Sequence, residues 1–73
     1  MAELPVISGS QCAQALATFG YQATRQRGSH LRLVAPGRAP ITVPLHRELD
    51  RGTLRAILRT ARIEPEEFVR ALR

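Results

Sequence analysis

The feature that most constrains the fold is a pair of short segments in which apolar residues occupy every second position. These residues are Leu31 and Leu33 in the first segment and Ile41, Val43 and Leu45 in the second. A period of two predicts half-buried β-strands, and the sequence APGRA between them, at 35–39, is rich in turn formers. The sequence therefore predicts an antiparallel strand pair with one face towards a core.

The same alternation limits the register of the pair. The apolar residues of both strands must share a face, because a slip of one residue would move a whole set into solvent. In the two registers that we favour among those that satisfy this condition, the numbers of opposed residues sum to 74 or 76, and His30 lies opposite either Pro44 or His46. In both registers the two histidines of the chain point away from the core, towards what we call the open face of the sheet.

A weaker strand is predicted at Tyr21–Gln26, followed by a turn of three residues, Arg27-Gly28-Ser29. With a turn of that length Gln26 lies opposite His30, and Thr24 lies opposite Arg32. The open face is then polar and basic, and its predicted members are Thr24, Gln26, His30, Arg32, Thr42 and His46. It holds no carboxylate or cysteine as a third ligand, so we expect no metal there.

Helical periodicity flanks the strands on both sides. Ser8 and Gln11 fit a capping box for a helix from about Gly9 to Phe19, and Cys12 is expected in the core. After the strands, Asp50 can cap a second helix, whose apolar face is Leu54, Ile57, Leu58 and Ala61. A short last helix starts at Glu64-Pro65, and its Phe68 and Leu72 are expected to fold back onto the core.

This order of elements, α-β-β-β-α-α, predicts an α+β fold in a single domain at 1–73. Three antiparallel strands with helices on one face form a layered structure with the outline of a double-stranded-RNA-binding domain. The expected core is Leu16, Phe19, Leu31, Leu33, Ile41, Val43, Leu54, Ile57, Leu58 and Phe68.

Composition narrows the class of partner. Eleven basic residues, all arginine, oppose six acidic ones, and the net charge is +5. The planar guanidinium suits phosphate, so nucleic acid or an acidic protein is the expected partner. A single cysteine excludes an internal disulfide. Neither a membrane span nor a signal peptide is evident, so we expect a cytoplasmic protein.

The histidines of the open face and the arginines of the second helix each have a functional interpretation and a non-functional one. A histidine on a polar strand face is often only a solvated residue, and so is a stripe of arginines on a helix. The stripe here is Arg51, Arg55, Arg59 and Arg62. The high arginine content makes a phosphate-binding role a competing interpretation.

The sequence GSHLRL after a Gly-Tyr strand, followed by ITVPLHRELDRGTLRAILRTARIEPEEF, resembles the HicA (YcfA-like) family from Ser8 to about Leu72. Members of this family are small toxins of bacterial and archaeal toxin–antitoxin pairs. The resemblance departs at Ala61-Arg62, where family members often have Ala-Gly, and at Glu64, where they often have a Ser or Thr cap.

The resemblance implies an endoribonuclease that cleaves mRNA, with the histidine of the GSH turn, His30, as the active residue. It also implies a HicB-type antitoxin that covers the active surface in a hetero-oligomeric complex. A histidine can take the proton from an RNA 2′-OH, which then attacks the adjacent phosphate without metal or other cofactor. His46 is a weaker candidate, as the acid for the leaving group or as a phosphate contact. The expected RNA-binding residues are Arg25, Arg27, Gly28, Ser29, Arg32, Arg51, Arg55 and Arg59.

Two other functions suit the same fold and charge. A non-catalytic RNA-binding module would keep its function when His30 is replaced by Gln. A protein-interaction adaptor that docks an acidic partner would have no affinity for RNA at low salt.

Overall fold

The computed structural model describes residues 3–72, which form three helices and one three-stranded antiparallel sheet. The elements in chain order are α1 (Gly9–Ala17), β1 (Gln22–Arg27), β2 (His30–Ala35), β3 (Arg38–Pro44), α2 (Arg51–Ala61) and α3 (Pro65–Ala71). The strands are ordered β1-β2-β3, so β3 is an edge strand, and it ends at Pro44, which has no amide hydrogen to donate to a sheet. The predicted α+β fold with the outline of a double-stranded-RNA-binding domain is confirmed.

Helix α1 begins with the predicted capping box. Ser8 Oγ accepts a hydrogen bond from the Gln11 amide at 3.0 Å, and Gln11 Oε1 accepts one from the Ser8 amide at 2.9 Å. The helix ends at Ala17, two residues earlier than predicted, and a turn leads to Gly20 at φ 95°. The residues after Ala17 form a turn with bonds between residues three apart, such as the one from the Phe19 amide to the Leu16 carbonyl at 2.9 Å, and the positive φ of Gly20, which favours glycine, then redirects the chain.

Helices α2 and α3 start where the sequence predicts, but the junction between them is unusual. Asp50 Oδ2 caps α2 by accepting a hydrogen bond from the Thr53 amide at 3.2 Å. The helix ends at Arg62, which has φ 58°, a left-handed conformation that normally favours glycine. Pro65 opens α3, and the preceding Glu64 makes no side-chain capping bond.

The register of the central strand pair is one of the two predicted. His30 lies opposite Pro44, Leu31 opposite Val43, and the apolar residues of both strands face the helices. His30 is exposed and Leu31 is half-buried, so the predicted division into two faces is confirmed.

The core contains every predicted residue and several more. All ten are buried except Phe19 and Leu31, which are half-buried and pack against the rest. The residues that the periodicity did not predict lie mostly outside the helices and strands: Leu4, Ile7, Tyr21, Leu49 and Ile63. No helix in residues 3–72 has the length and the run of apolar residues needed to cross a bilayer.

Candidate functional site

The GSH sequence forms the tight hairpin turn between β1 and β2. Gly28 has φ 59° and Ser29 does not have a positive φ, as expected for a two-residue turn with glycine at its first central position. His30 is the first residue of β2. Because Ser29 of the turn directly precedes His30, the turn fixes the position of the His30 backbone.

Contacts on both sides hold this turn in place. The Gln26 side-chain amide donates to the Gly28 carbonyl at 3.0 Å, and the Leu45 amide donates to the Ser29 carbonyl at 2.6 Å. Helix α1 begins against the same segment, because the Gly9 amide donates to the His46 carbonyl at 2.9 Å. The turn is thus connected through the end of β3 to the first turn of α1.

The predicted length of this turn is wrong, and the correction changes the open face. The turn has two residues rather than three, so Arg27, not Gln26, lies opposite His30. Arg25, not Thr24, lies opposite Arg32. Two arginines therefore replace a threonine and a glutamine on the face that carries the histidine.

A β-bulge at Thr24 makes this arrangement possible. Tyr21 and Arg25 are four residues apart and would share a face in a regular strand. The register shifts between Ala23 and Arg25, so that Tyr21 is buried in the core while Arg25 is exposed on the other face. The Thr24 hydroxyl donates a long hydrogen bond to the Arg32 carbonyl, at 3.5 Å.

These side chains line a shallow pocket on the open face. Its lining residues are Arg25, Arg27, His30, Arg32 and Thr42, and its volume is about 200 Å³. Thr42 lies directly opposite Arg32 on β3. The pocket thus combines one histidine, three guanidinium groups and one hydroxyl, which suits a phosphate with a group nearby that can take a proton.

The second histidine is placed differently. Strand β3 ends at Pro44, so His46 lies beyond the sheet, and it is exposed. It does not belong to the residues that line the pocket beside His30.

The arginines of α2 lie away from this pocket. Arg51 Nε donates to the Leu4 carbonyl at 2.9 Å and so anchors the N-terminal segment to the helix. Arg55 and Arg59 line a separate pocket beside Ile63, at the junction of α2 and α3. The structure therefore divides the predicted RNA-binding residues into a group on the open face and a group on α2.

One arginine that the sequence analysis left without a role has a structural one. Arg38 Nη1 donates to the Ala61 carbonyl at 2.7 Å, and its guanidinium lies 5.7 Å from the centre of the Phe19 ring. Arg38 therefore connects β3 to the C-terminal end of α2 and to the turn after α1.

Neither a metal centre nor a nucleophilic thiol is evident in the part of the chain that the structure describes. Within residues 3–72, no three side chains of His, Cys, Asp or Glu come together as ligands would. Cys12 is buried as predicted, and burial raises the pKa of its thiol to about 12. It is therefore protonated and unreactive at neutral pH.

Comparison with known proteins identifies the family. A family model described as the HicA toxin of bacterial toxin–antitoxin systems matches residues 9–63. The structure is similar to a chain of a toxin–antitoxin complex from Streptococcus pneumoniae, with a TM-score of 0.69 and 33% sequence identity. The alignment covers 78% of this chain and 98% of that one. No curated protein gives a significant match. Because the family model spans most of the sequence, including the GSH turn, β3 and α2, the chain belongs to the HicA toxin family.

Proposed function

We propose that this HicA toxin is a metal-independent endoribonuclease that cleaves mRNA in the cytoplasm at the pocket beside His30. The observation that carries the proposal is an exposed histidine in a pocket that three arginines also line. Such a site can bind a phosphodiester and remove a proton next to it. We further propose that residues 1–73 act as one toxin domain.

The proposed reaction is a transesterification within the RNA. His30 takes the proton of the 2′-OH, the 2′-oxygen attacks the adjacent phosphorus, and the bond from phosphorus to the 5′-oxygen breaks. The 5′-oxygen leaves with a proton from an acid or from water, which gives a 2′,3′-cyclic phosphate and a 5′-OH. General-base catalysis contributes roughly 10²–10⁴ in rate, and the arginines stabilise the charge that develops on the phosphate.

Arg27 is the arginine best placed to stabilise that charge. It lies directly opposite His30, where cross-strand neighbours have Cβ atoms about 5 Å apart. His46 lies beyond β3 and outside the pocket lining, so we propose it as a phosphate contact beside the pocket rather than as the acid. The arginines Arg51, Arg55 and Arg59 on α2 would extend the RNA-binding surface, with Arg51 limited by its bond to Leu4.

Cleavage by the purified protein in EDTA tests this proposal. We expect His30→Ala and His30→Gln to abolish cleavage while keeping the fold, because an exposed side chain usually changes stability by within about 0.5 kcal/mol. RNA binding should largely survive, and His46→Ala should reduce cleavage less than His30→Ala does. The wild-type products should carry 2′,3′-cyclic phosphates and 5′-OH ends.

Several results would count against the proposal. Cleavage that needs a divalent metal, or that leaves 5′-phosphates, rules out attack by the 2′-OH. Full cleavage by His30→Gln would exclude His30 as the general base. RNA binding without cleavage by the wild-type protein would favour a non-catalytic RNA-binding module, for which the charge of the open face is equally suitable. Absence of RNA affinity at low salt would favour an adaptor for an acidic protein.

We also propose that a HicB-type antitoxin neutralises the toxin by covering the open face in a hetero-oligomeric complex. The similarity to a chain of a toxin–antitoxin complex supports an antitoxin partner. The charge of the open face supports an acidic contact surface on that partner, because Arg25, Arg27 and Arg32 all project there.

A further inference from the structure

The open face holds two arginines directly opposite each other, which is an unfavourable pairing unless an anion lies between them. Arg25 and Arg32 are register partners, and both line the pocket. Like charges at opposed positions of an antiparallel pair destabilise the sheet. The adjacent pair towards the turn, Arg27 and His30, is the one proposed to act on the scissile phosphate.

No carboxylate of the sheet can compensate this charge. The sequence has no Asp or Glu between Glu3 and Glu48, so all three strands lack acidic residues. Two exposed guanidinium groups at opposed positions of strands that carry no carboxylate form a binding site for an anion. Planar guanidinium groups bind phosphate through two parallel hydrogen bonds, which makes phosphate the anion that this pair fits best.

The spacing along β1 relates this anion site to the proposed reaction. Arg25 and Arg27 are two residues apart on the same face of the strand, which is about 6.6–6.8 Å. Successive phosphates of an extended nucleic-acid strand are separated by a comparable length. An RNA strand that runs along β1 and β2 would thus place one phosphate at Arg27 and His30 and its neighbour between Arg25 and Arg32.

We propose that Arg25 and Arg32 form a subsite for the phosphate next to the one that is cleaved, so that the pocket holds two consecutive phosphates of single-stranded RNA. This inference rests on the proposed ribonuclease function and adds the division of labour among the three arginines. Recognition of single strands agrees with the exposure of Arg25, Arg27 and Arg32 on the open face and with the need for a nucleotide that can adopt in-line geometry.

The division of labour has a kinetic consequence. A group that binds a phosphate distant from the reacting bond contributes equally to substrate and transition state, so its loss raises KM with little change in kcat. A group at the reacting phosphate acts mainly in the transition state, so its loss lowers kcat. Arg25→Gln and Arg32→Gln should therefore behave differently from Arg27→Gln.

The first experiment removes charge from single phosphates of the substrate. An RNA oligonucleotide with one mapped cleavage site is made with a neutral methylphosphonate at the linkage on one side of that site or on the other. For the wild-type protein, one of the two substitutions should raise KM about tenfold or more and leave kcat within about threefold. The same substitution should have no further effect on the Arg25→Gln/Arg32→Gln variant.

Arg70→Gln is the matched control, because Arg70 is exposed on α3 and has no part in the proposed machinery. It should respond to the two methylphosphonates as the wild-type protein does. If the wild-type protein tolerates both substitutions, or if Arg25→Gln/Arg32→Gln lowers kcat as much as Arg27→Gln, the subsite does not exist.

The second experiment separates this inference from the proposed function. Single-stranded DNA lacks the 2′-OH, so its binding reports phosphate contacts alone. The slope of log affinity against log salt should fall by about 0.7 in Arg25→Gln/Arg32→Gln and stay unchanged in Arg70→Gln and His30→Ala. A reduced slope in a protein that does not cleave RNA would support the subsite while the ribonuclease proposal fails. If RNA cleavage depends on His30, but the salt slope of Arg25→Gln/Arg32→Gln is unchanged and the methylphosphonates have no effect, the subsite alone is overturned.

Discussion

Replacement of Gly9 by alanine should disturb both stability and activity, although the residue lies outside the pocket. Gly9 is the first residue of α1, and a Cβ at this position would lie 2.0 Å from the Pro44 carbonyl oxygen and 2.8 Å from Leu45 Cα. Both are backbone atoms, so no side-chain rotation relieves the clash. Since a carbon–oxygen contact needs roughly 3 Å or more, helix and strand end must separate by about 1 Å.

The magnitude follows from three terms. Forcing an extra methyl into a packed contact costs about 1–3 kcal/mol. Lengthening the bond from the Gly9 amide to the His46 carbonyl adds about 0.5–1.5 kcal/mol, and the helix propensity of alanine returns up to about 1 kcal/mol. A net loss of about 2 kcal/mol corresponds to a Tm lower by about 8–16 °C in a domain of this size.

The same displacement should reach the active turn. Leu45 donates to the Ser29 carbonyl, so a shift of the strand end moves the residue that precedes His30. We therefore expect Gly9→Ala to reduce RNA cleavage at temperatures where the protein is still folded. Thermal unfolding followed by circular dichroism, with cleavage measured well below Tm, provides both readouts.

Gly52→Ala is the matched control, because Gly52 lies in the first turn of α2 and its added Cβ would meet only the movable Asp50 carboxylate, at 2.9 Å. It should change stability by within about 1 kcal/mol, since the gain in helix propensity opposes a weakened cap. A Tm of Gly9→Ala within about 2 °C of the wild-type value would refute the close backbone approach on which this reasoning depends.

Two further predictions concern the partner and the junction of α2 and α3. The association rate with the antitoxin should fall as salt rises, and less steeply for Arg25→Gln/Arg32→Gln; a rate that does not change with salt would contradict the electrostatic part of the partner proposal. Arg62→Gly should raise Tm by about 4–8 °C, because it relieves roughly 1 kcal/mol of left-handed strain at φ 58°. Arg62→Ala keeps that strain, so equal gains in both variants would show that the strain is not the cause.

The helices and the central strand pair could be predicted because their burial is periodic. Leu31 and Leu33 had to share a face with Ile41 and Val43, and the observed register follows from that condition. The capping groups Ser8, Gln11 and Asp50 likewise have local sequence signatures, and all three make the expected bonds.

The strand β1 could be predicted, but its register against β2 could not, for a physical reason. All six of its residues, Gln22–Arg27, are exposed, so no alternation of apolar side chains fixes the register. Periodicity therefore predicts neither the bulge nor the length of the turn. Without these two features, the placement of Arg25 and Arg27 cannot be predicted either. The Gly-Ser pair at 28–29 is the signal that was available, since glycine at the first position of a two-residue hairpin turn is typical.

The core residues outside the helices and strands escaped prediction for a related reason. Leu4 precedes α1, and Leu49 and Ile63 lie in connecting segments, so no period exists to detect these three residues. Their burial depends on long-range contacts such as the bond from the Leu49 amide to the Ile7 carbonyl at 2.7 Å.

The bulge at Thr24 also bears on how this gene can change in length. Because Thr24 is the extra residue of β1, an in-frame loss of its codon would leave a regular ladder with Tyr21 and Ala23 still towards the core and Arg25 still on the open face. An in-frame insertion in the same stretch would keep that alternation only by moving Tyr21 and Ala23 two residues along β2, away from their present partners, or it would require a wider bulge. The strand is thus tolerant of shortening and intolerant of lengthening, so homologous sequences should show gaps at this position more readily than insertions.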